Sequence, residues 1–446
     1  MSSTKRVDVP SSILIIGSGV FGLSTAHSLC KNPLFKETSI TLVDRQPFPT
    51  PDGSSIDTSR IIRPDYASPP YTRLASSAQS LWRTTFAPQH YHENGLCITA
   101  SGPEQKYVSA SLANVKALGT DKVKILNNTE HIKRVCGIAN ASGSTGYVNW
   151  SSGWADAEGA MRWLRHEVES FSRVQFIIRT VKSLLIDHTK STVSGALLHD
   201  GSTLIADLTI LAAGAWTPSL LDLRGICKAT GQVLYYLPLS PSEEAQLAKR
   251  PTLLNLSTGL FMIPPSQGLL KIARHGHGYV NPTTIPHPEA KATSSGSTAT
   301  ITVSLPYTHL DSPTNTQSVP QEGQSACRTF LANIHPTLAT PSRPFTKSRI
   351  CWYTDTRTGD FLISYHPTYS GLFVATGGSG HAFKFLPVIG DSIVECVLGR
   401  TPEDFRGLWE WPKERVPEEM WGGDGSRGGP VGMVLAAEMT KGQSKL

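Results

Sequence analysis

An unbroken apolar run, Ile13-Leu14-Ile15-Ile16, stops at Gly17, and beyond Gly22 the apolar positions Leu23, Ala26 and Leu29 recur three apart. The run predicts a parallel strand covered on both faces, and the spacing predicts a helix lying on it. A second run at 39–43 ends in Asp44, giving the strand, turn, helix, strand succession of a βαβ unit. Farther on, helical spacing through Leu74, Ala78, Leu81 and Trp82 predicts a helix over 71–86, and acids in the first turn mark a helix start near Asp156. Strands are predicted at 174–178, 181–186 and 195–198. Another buried strand at 207–211 runs into the small-residue turn Ala212-Ala213-Gly214, and a last one at 372–375 precedes a helix over 389–398.

Signals of the first kind thus come at the beginning, middle and end. Shorter strand-like runs between them, at 231–236, 259–263 and 269–273, belong to a second domain. The expectation is an α/β protein: a discontinuous, Rossmann-like doubly wound domain from 1–86, 147–229 and 348–421, and a second domain inserted between its parts from 87–146 and 230–347. The Ser-, Thr- and Pro-rich stretch 282–325 reads as surface insertion and loop with one strand-like run at 299–305. Residues 422–446, opening with Gly422-Gly423-Asp424-Gly425, read as a flexible tail.

The turn itself carries chemistry. Gly17 allows the tight turn, Gly19 lets the backbone approach a pyrophosphate, and Gly22 lets the helix close on the strand, so phosphates meet free N–H groups at a helix N-terminus. Asp44, at the tip of the second strand, is placed to accept hydrogen bonds from an adenosine ribose, which favours FAD or NAD over NADP.

Composition narrows the partners. A chain of 446 residues with a net charge of +6 and no basic block is a poor nucleic-acid binder. No apolar segment approaches the roughly 18 residues that span a bilayer, and residues 1–12 lack the apolar core of a signal peptide, so no membrane partner is expected. Seven scattered cysteines without C-x-x-C spacing argue against disulfides and against a metal site. Ser444-Lys445-Leu446 is the tripeptide read by the peroxisomal import receptor, which predicts a peroxisomal enzyme. The chain is expected to act as a monomer.

Several separated stretches coincide with one family: 17–22, 58–63, 212–217, 271–275, Cys351 and 377–385. In these the chain resembles the FAD-dependent sarcosine oxidase family, which includes fungal saccharopine, pipecolate and fructosyl amino acid oxidases, and the resemblance implies that the second domain is an α+β substrate domain with a mostly antiparallel sheet. The resemblance implies that Gly17, Gly19, Val20, Phe21, Gly22, Asp44 and Arg45 hold the adenosine diphosphate part of FAD. Thr58, Ser59 and Arg60 would lie along the flavin ring, with Val181, Ala213, Gly214 and Trp216 also touching the cofactor. Gly378, Ser379 and Gly380 would give backbone access at the pyrimidine edge, beside His381 and Lys384. Cys351 falls where the family joins its flavin through a thioether. A buried free thiol is the other reading of that cysteine.

By the same resemblance Arg63 and Lys384 clamp the substrate carboxylate, and Lys271 is the lysine that activates oxygen. His275 would stand on the substrate side, or be a polar loop histidine. A fixed cation beside reduced flavin favours the negative charge passed to oxygen, and a buried carboxylate needs cationic partners. The implied reaction oxidises a secondary amine of saccharopine, sarcosine or pipecolate type with O2 to an imine, which hydrolyses unless cyclic, and yields H2O2. Alternatives are a deglycating fructosyl amino acid oxidase and an amine oxidase of a secondary-metabolite intermediate. The stretch Asp57-Thr58-Ser59-Arg60 departs from the Gly-Asn-Asp type of the fructosyl branch and weighs against a sugar amine.

Overall fold

The computed structural model describes residues 9–290, 299–312 and 319–443, so the targeting tripeptide lies outside the described residues. The strand Ser12–Ile16 sits inside a six-stranded sheet, flanked in parallel by Ser39–Asp44 and Leu208–Leu211. Val174–Ile178 extends the sheet beyond Ser39–Asp44, and Leu372–Thr376 extends it beyond Leu208–Leu211. Only Leu362–Tyr365, at the edge, is antiparallel. Ile13, Leu14, Ile15 and Ile16 are all buried, as a strand covered on both faces requires, each contributing about 1.5–3 kcal/mol.

The helix Val20–Lys31 lies on this sheet against the helices Ile389–Val397 and Ala157–Ser170. Two glycines make that possible. Gly17 has φ +106° and donates its N–H to the Val43 carbonyl, while a Cβ on Gly22 would stand 1.8 Å from the Gly17 oxygen.

The second sheet has ten strands, and its centre is the long strand Cys227–Pro238. Leu269–Arg274 pairs with it on one side and Lys347–Thr356 on the other, both antiparallel. A parallel pair, Thr252–Asn255 with Leu96–Ala100, interrupts an otherwise mostly antiparallel order.

Three expectations need correction. Lys347–Thr356, including Cys351, hydrogen-bonds into the second sheet rather than continuing the nucleotide-binding part, paired with Cys227–Pro238 over ten register positions, so its placement follows from a long-range pairing that no local pattern announces. The stretch read as insertion and loop contains a hairpin, Pro282–Pro286 with Thr300–Ser304, and the start of the helix Gln321–Ile334. The tail is not loose over its described length: Met433–Val434 adds to the second sheet beside Tyr279–Val280, and Leu435–Gln443 is a helix packed on Gln321–Ile334.

Candidate active site

The glycine turn opens onto a cavity of about 970 Å³ that runs along the carboxyl ends of the parallel strands, where ligands sit in open α/β sheets. Its wall includes Gly17, Gly19, Val20, Phe21, Asp44, Arg45, Arg60, Val181, Ala213, Gly214, Trp216, Gly378 and Gly380. Gly22, Thr58, Ser59, Cys351, Ser379, His381 and Lys384 are not on that wall; Cys351 lies just behind it, preceding the wall residues Trp352, Tyr353 and Thr354. Asp44 Oδ2 accepts from Ser18 N at 2.7 Å and Ser18 Oγ at 2.6 Å, fixing the carboxylate at the strand tip. The Arg45 guanidinium lies 4.0 Å from the Trp216 ring centre. The volume falls within the usual range of roughly 300–1,000 Å³ for cofactor sites. Glycine walls, a helix N-terminus and an acidic strand tip are the donor and acceptor set that an adenine dinucleotide requires, so these residues fit FAD.

Beside the cavity, Asp57 forms a hub. Lys271 Nζ donates to Asp57 Oδ2 at 2.6 Å and to the Ser59 carbonyl at 2.7 Å. Arg60 and the Tyr236 hydroxyl donate to the same carboxylate. Lys271 and Asp57 are both buried. Burial alone would raise the Asp57 carboxyl, but Lys271, Arg60 and Arg349 outweigh it and hold the group far below the usual carboxylate range. Burial lowers Lys271 to about 7, with Asp57 opposing and Arg60 adding to the shift. Arg60 Nη2 also donates to Cys351 Sγ, 3.4 Å away.

A second cluster gathers around Arg63 and Lys384. Arg63 and Lys384 are each 5% exposed, and Arg63 Nη1 is buried without a hydrogen-bond partner. Lys384 Nζ donates to the Tyr66 hydroxyl at 2.8 Å and to the His381 carbonyl at 2.9 Å. The Tyr66 ring also stacks under Arg63, whose guanidinium carbon is 4.8 Å from its centre. Burial first, then Arg63, pushes Lys384 well below its ordinary value. His381 rests on Phe361, the ring centroids 4.8 Å apart, and burial holds it neutral.

His275 follows the strand Leu269–Arg274 and faces Tyr353, with ring centroids 5.8 Å apart. Burial, then Arg427 and Arg63, hold it well below 6.5. Arg427 comes from the stretch read as a flexible tail, yet its guanidinium bonds both oxygens of Asp355 and the Ser379 carbonyl. Gly428, next to it, bridges to Gly276.

The structure therefore gathers Arg63, Lys384, His381 and Tyr66 into one corner and sets Lys271 in another with Arg60 and Asp57. Sequence reasoning missed Asp57, Tyr66, Asp355 and Arg427. A glycine- and serine-rich run gave no sign that Arg427 would be buried against a carboxylate. Asp57 had a usable signal in Ile56-Asp57, an acid within an apolar neighbourhood that also holds two arginines.

A family model described as FAD dependent oxidoreductase matches residues 12–396. Amino acid oxidase imqH of Aspergillus flavus is 32% identical across 90% of this chain and 98% of its own length. L-saccharopine oxidase of Schizosaccharomyces pombe is 28% identical across 92% of this chain and 94% of its own. Among solved structures, fructosamine oxidase of Aspergillus fumigatus (Amadoriase II), in complex with FSA, superposes with a TM-score of 0.80 at 27% identity, covering 95% of both chains. Glycine turn, cavity and matched length agree, and the chain belongs to the FAD-dependent oxidoreductase family.

Proposed function

We propose that this enzyme is an oxidase of secondary amines, taking an N-substituted or cyclic α-amino acid and O2 to an imine and H2O2. The observation that carries this reading is a buried basic pair, Arg63 with an unpartnered Nη1 and Lys384 bonded only to neutral oxygens among the described residues. A buried guanidinium with a free donor beside a buried amine calls for an anion, and a carboxylate between the two satisfies both once Lys384 is protonated. The flavin, when bound, supplies the two-electron acceptor. Asp44 and the glycine turn hold it, with Arg60 and the backbone of Gly378 and Gly380 along the same cavity. Lys271, fixed by Asp57 and Ser59, keeps a positive charge where oxygen is to be reduced, and His275 with Tyr353 walls the substrate side.

Hydrogen peroxide release under air tests the reading, with sarcosine, pipecolate, saccharopine and fructosyl amino acids offered in turn to the yellow protein. Peroxide from one or more is expected; silence with every member would overturn it. The likeness to fructosamine oxidase supports the sugar-amine alternative, and peroxide from the fructosyl compounds alone would select it.

Cys351 stands beside the cavity with Arg60 as a donor to its sulfur, and this supports a thioether to the flavin. Acid precipitation of the native enzyme is expected to leave yellow colour in the pellet, whereas Cys351→Ala releases it to the supernatant. Retention by the variant would refute the link. The enzyme acts as a monomer, and import through Ser444-Lys445-Leu446 would deliver its peroxide to the peroxisome.

A further inference from the structure

The hydrogens around Lys384 can be counted. His381 Nε2 is 2.8 Å from the Gly359 carbonyl, which can only accept, so the ring hydrogen is on Nε2 and Nδ1 is bare. Tyr66 lies 3.0 Å from Nδ1 and must spend its hydroxyl hydrogen there, so its oxygen faces Lys384 as an acceptor. The His381 carbonyl is a second acceptor for the same amine. Lys384 thus gives away two hydrogens whatever its charge. One tetrahedral position on Nζ remains, and it holds either a proton or a lone pair.

The charged and titratable groups around Nζ are Arg63, Asp65, Tyr66, His275, His381 and Asp424. Asp65 is turned to Ser152 and Asn149, Asp424 is exposed and accepts from Ser426, and Tyr66, His275 and His381 are neutral. A buried ammonium with a guanidinium for neighbour and no bonded counter-ion is costly, so with no anion between them Lys384 rests as the free amine.

We infer that Lys384 takes the substrate's own ammonium proton. As the carboxylate of a zwitterionic N-substituted amino acid docks between Arg63 and Lys384, one proton leaves the substrate nitrogen and ends on Nζ. The nitrogen becomes the neutral amine that oxidation requires, and Lys384 becomes the cation that the carboxylate requires. One N–H bond breaks and one forms, and no proton is exchanged with solvent. Tyr66 and His381 are positioning residues that aim the single site on Nζ. This rests on the carboxylate clamp proposed above.

The test is calorimetric titration of the flavin-loaded enzyme with tetrahydropyran-2-carboxylate, an acid carrying an ether oxygen where pipecolate has its nitrogen. This probe brings a carboxylate without a proton to give. At about pH 8, in two buffers of different ionisation heat, the native enzyme is expected to take up close to one proton per acid bound, with affinity falling about tenfold per pH unit above that. Lys384→Arg, whose charge is fixed, is expected to take up none and to bind with a flat pH profile; Lys384→Met serves the same purpose should the arginine not be accommodated. Binding by the native enzyme without proton uptake, or uptake that persists in Lys384→Arg, overturns the proton transfer and leaves the clamp standing. No binding at all, or binding undiminished in Arg63→Ala, overturns the clamp and the transfer with it.

Discussion

Replacing Lys271 by Met is expected to slow oxygen consumption by the reduced enzyme about 100- to 1,000-fold, the usual cost of removing one preorganised charge from a water-poor site. Reduction by the amine should change less than about tenfold, because Lys271 sits with Asp57 and Ser59, away from the corner that holds Arg63 and Lys384. Stopped-flow absorbance separates the two half-reactions, and equal slowing of both would remove the proposed role. The same geometry gives a pH dependence. Burial lowers Lys271 to about 7, so its charge is present below that value and lost as pH rises through it. Reoxidation should therefore slow on the alkaline side of about 7 in the native enzyme and be flat there in the variant. Asp57, held far below the usual range, stays ionised throughout.

Arg63→Ala should act on binding. Truncating one partner of a buried charge pair costs about 2–5 kcal/mol, or roughly 30- to several-thousand-fold in kcat/KM, most of it in KM. The methyl ester of the same substrate, with no carboxylate to hold, should lose far less. If acid and ester suffer equally, Arg63 is packing rather than clamp. Lys384→Ala should show the same preference.

The nucleotide-binding half was legible because it is local. Glycine spacing, the apolar runs and the terminal acid at Asp44 all fall within about thirty residues, and each feature has a steric or electrostatic cause. Arg63, Lys271 and Lys384 were picked out through the family resemblance, which marks positions in the chain and says nothing of what they touch. Their partners were not. Tyr66 supports Lys384 from 318 positions away, and Asp57 meets Lys271 across 214. Pairing of that kind follows from which sheet a strand joins, and the strand carrying Cys351 joined the sheet opposite to the one expected. The same limit hid Arg427, whose buried bond to Asp355 exists only because the chain returns to the site after the last parallel strand.

The hub at Asp57 also bears on how a substrate gets in. It follows the second strand of the parallel sheet, yet it holds Lys271 and Tyr236 from the other sheet. A hinge between the two halves would have to tear two donors off one carboxylate, and a single buried pair already resists by about 3–5 kcal/mol. The two sheets are therefore pinned together at this carboxylate, and a substrate has to enter without opening that seam.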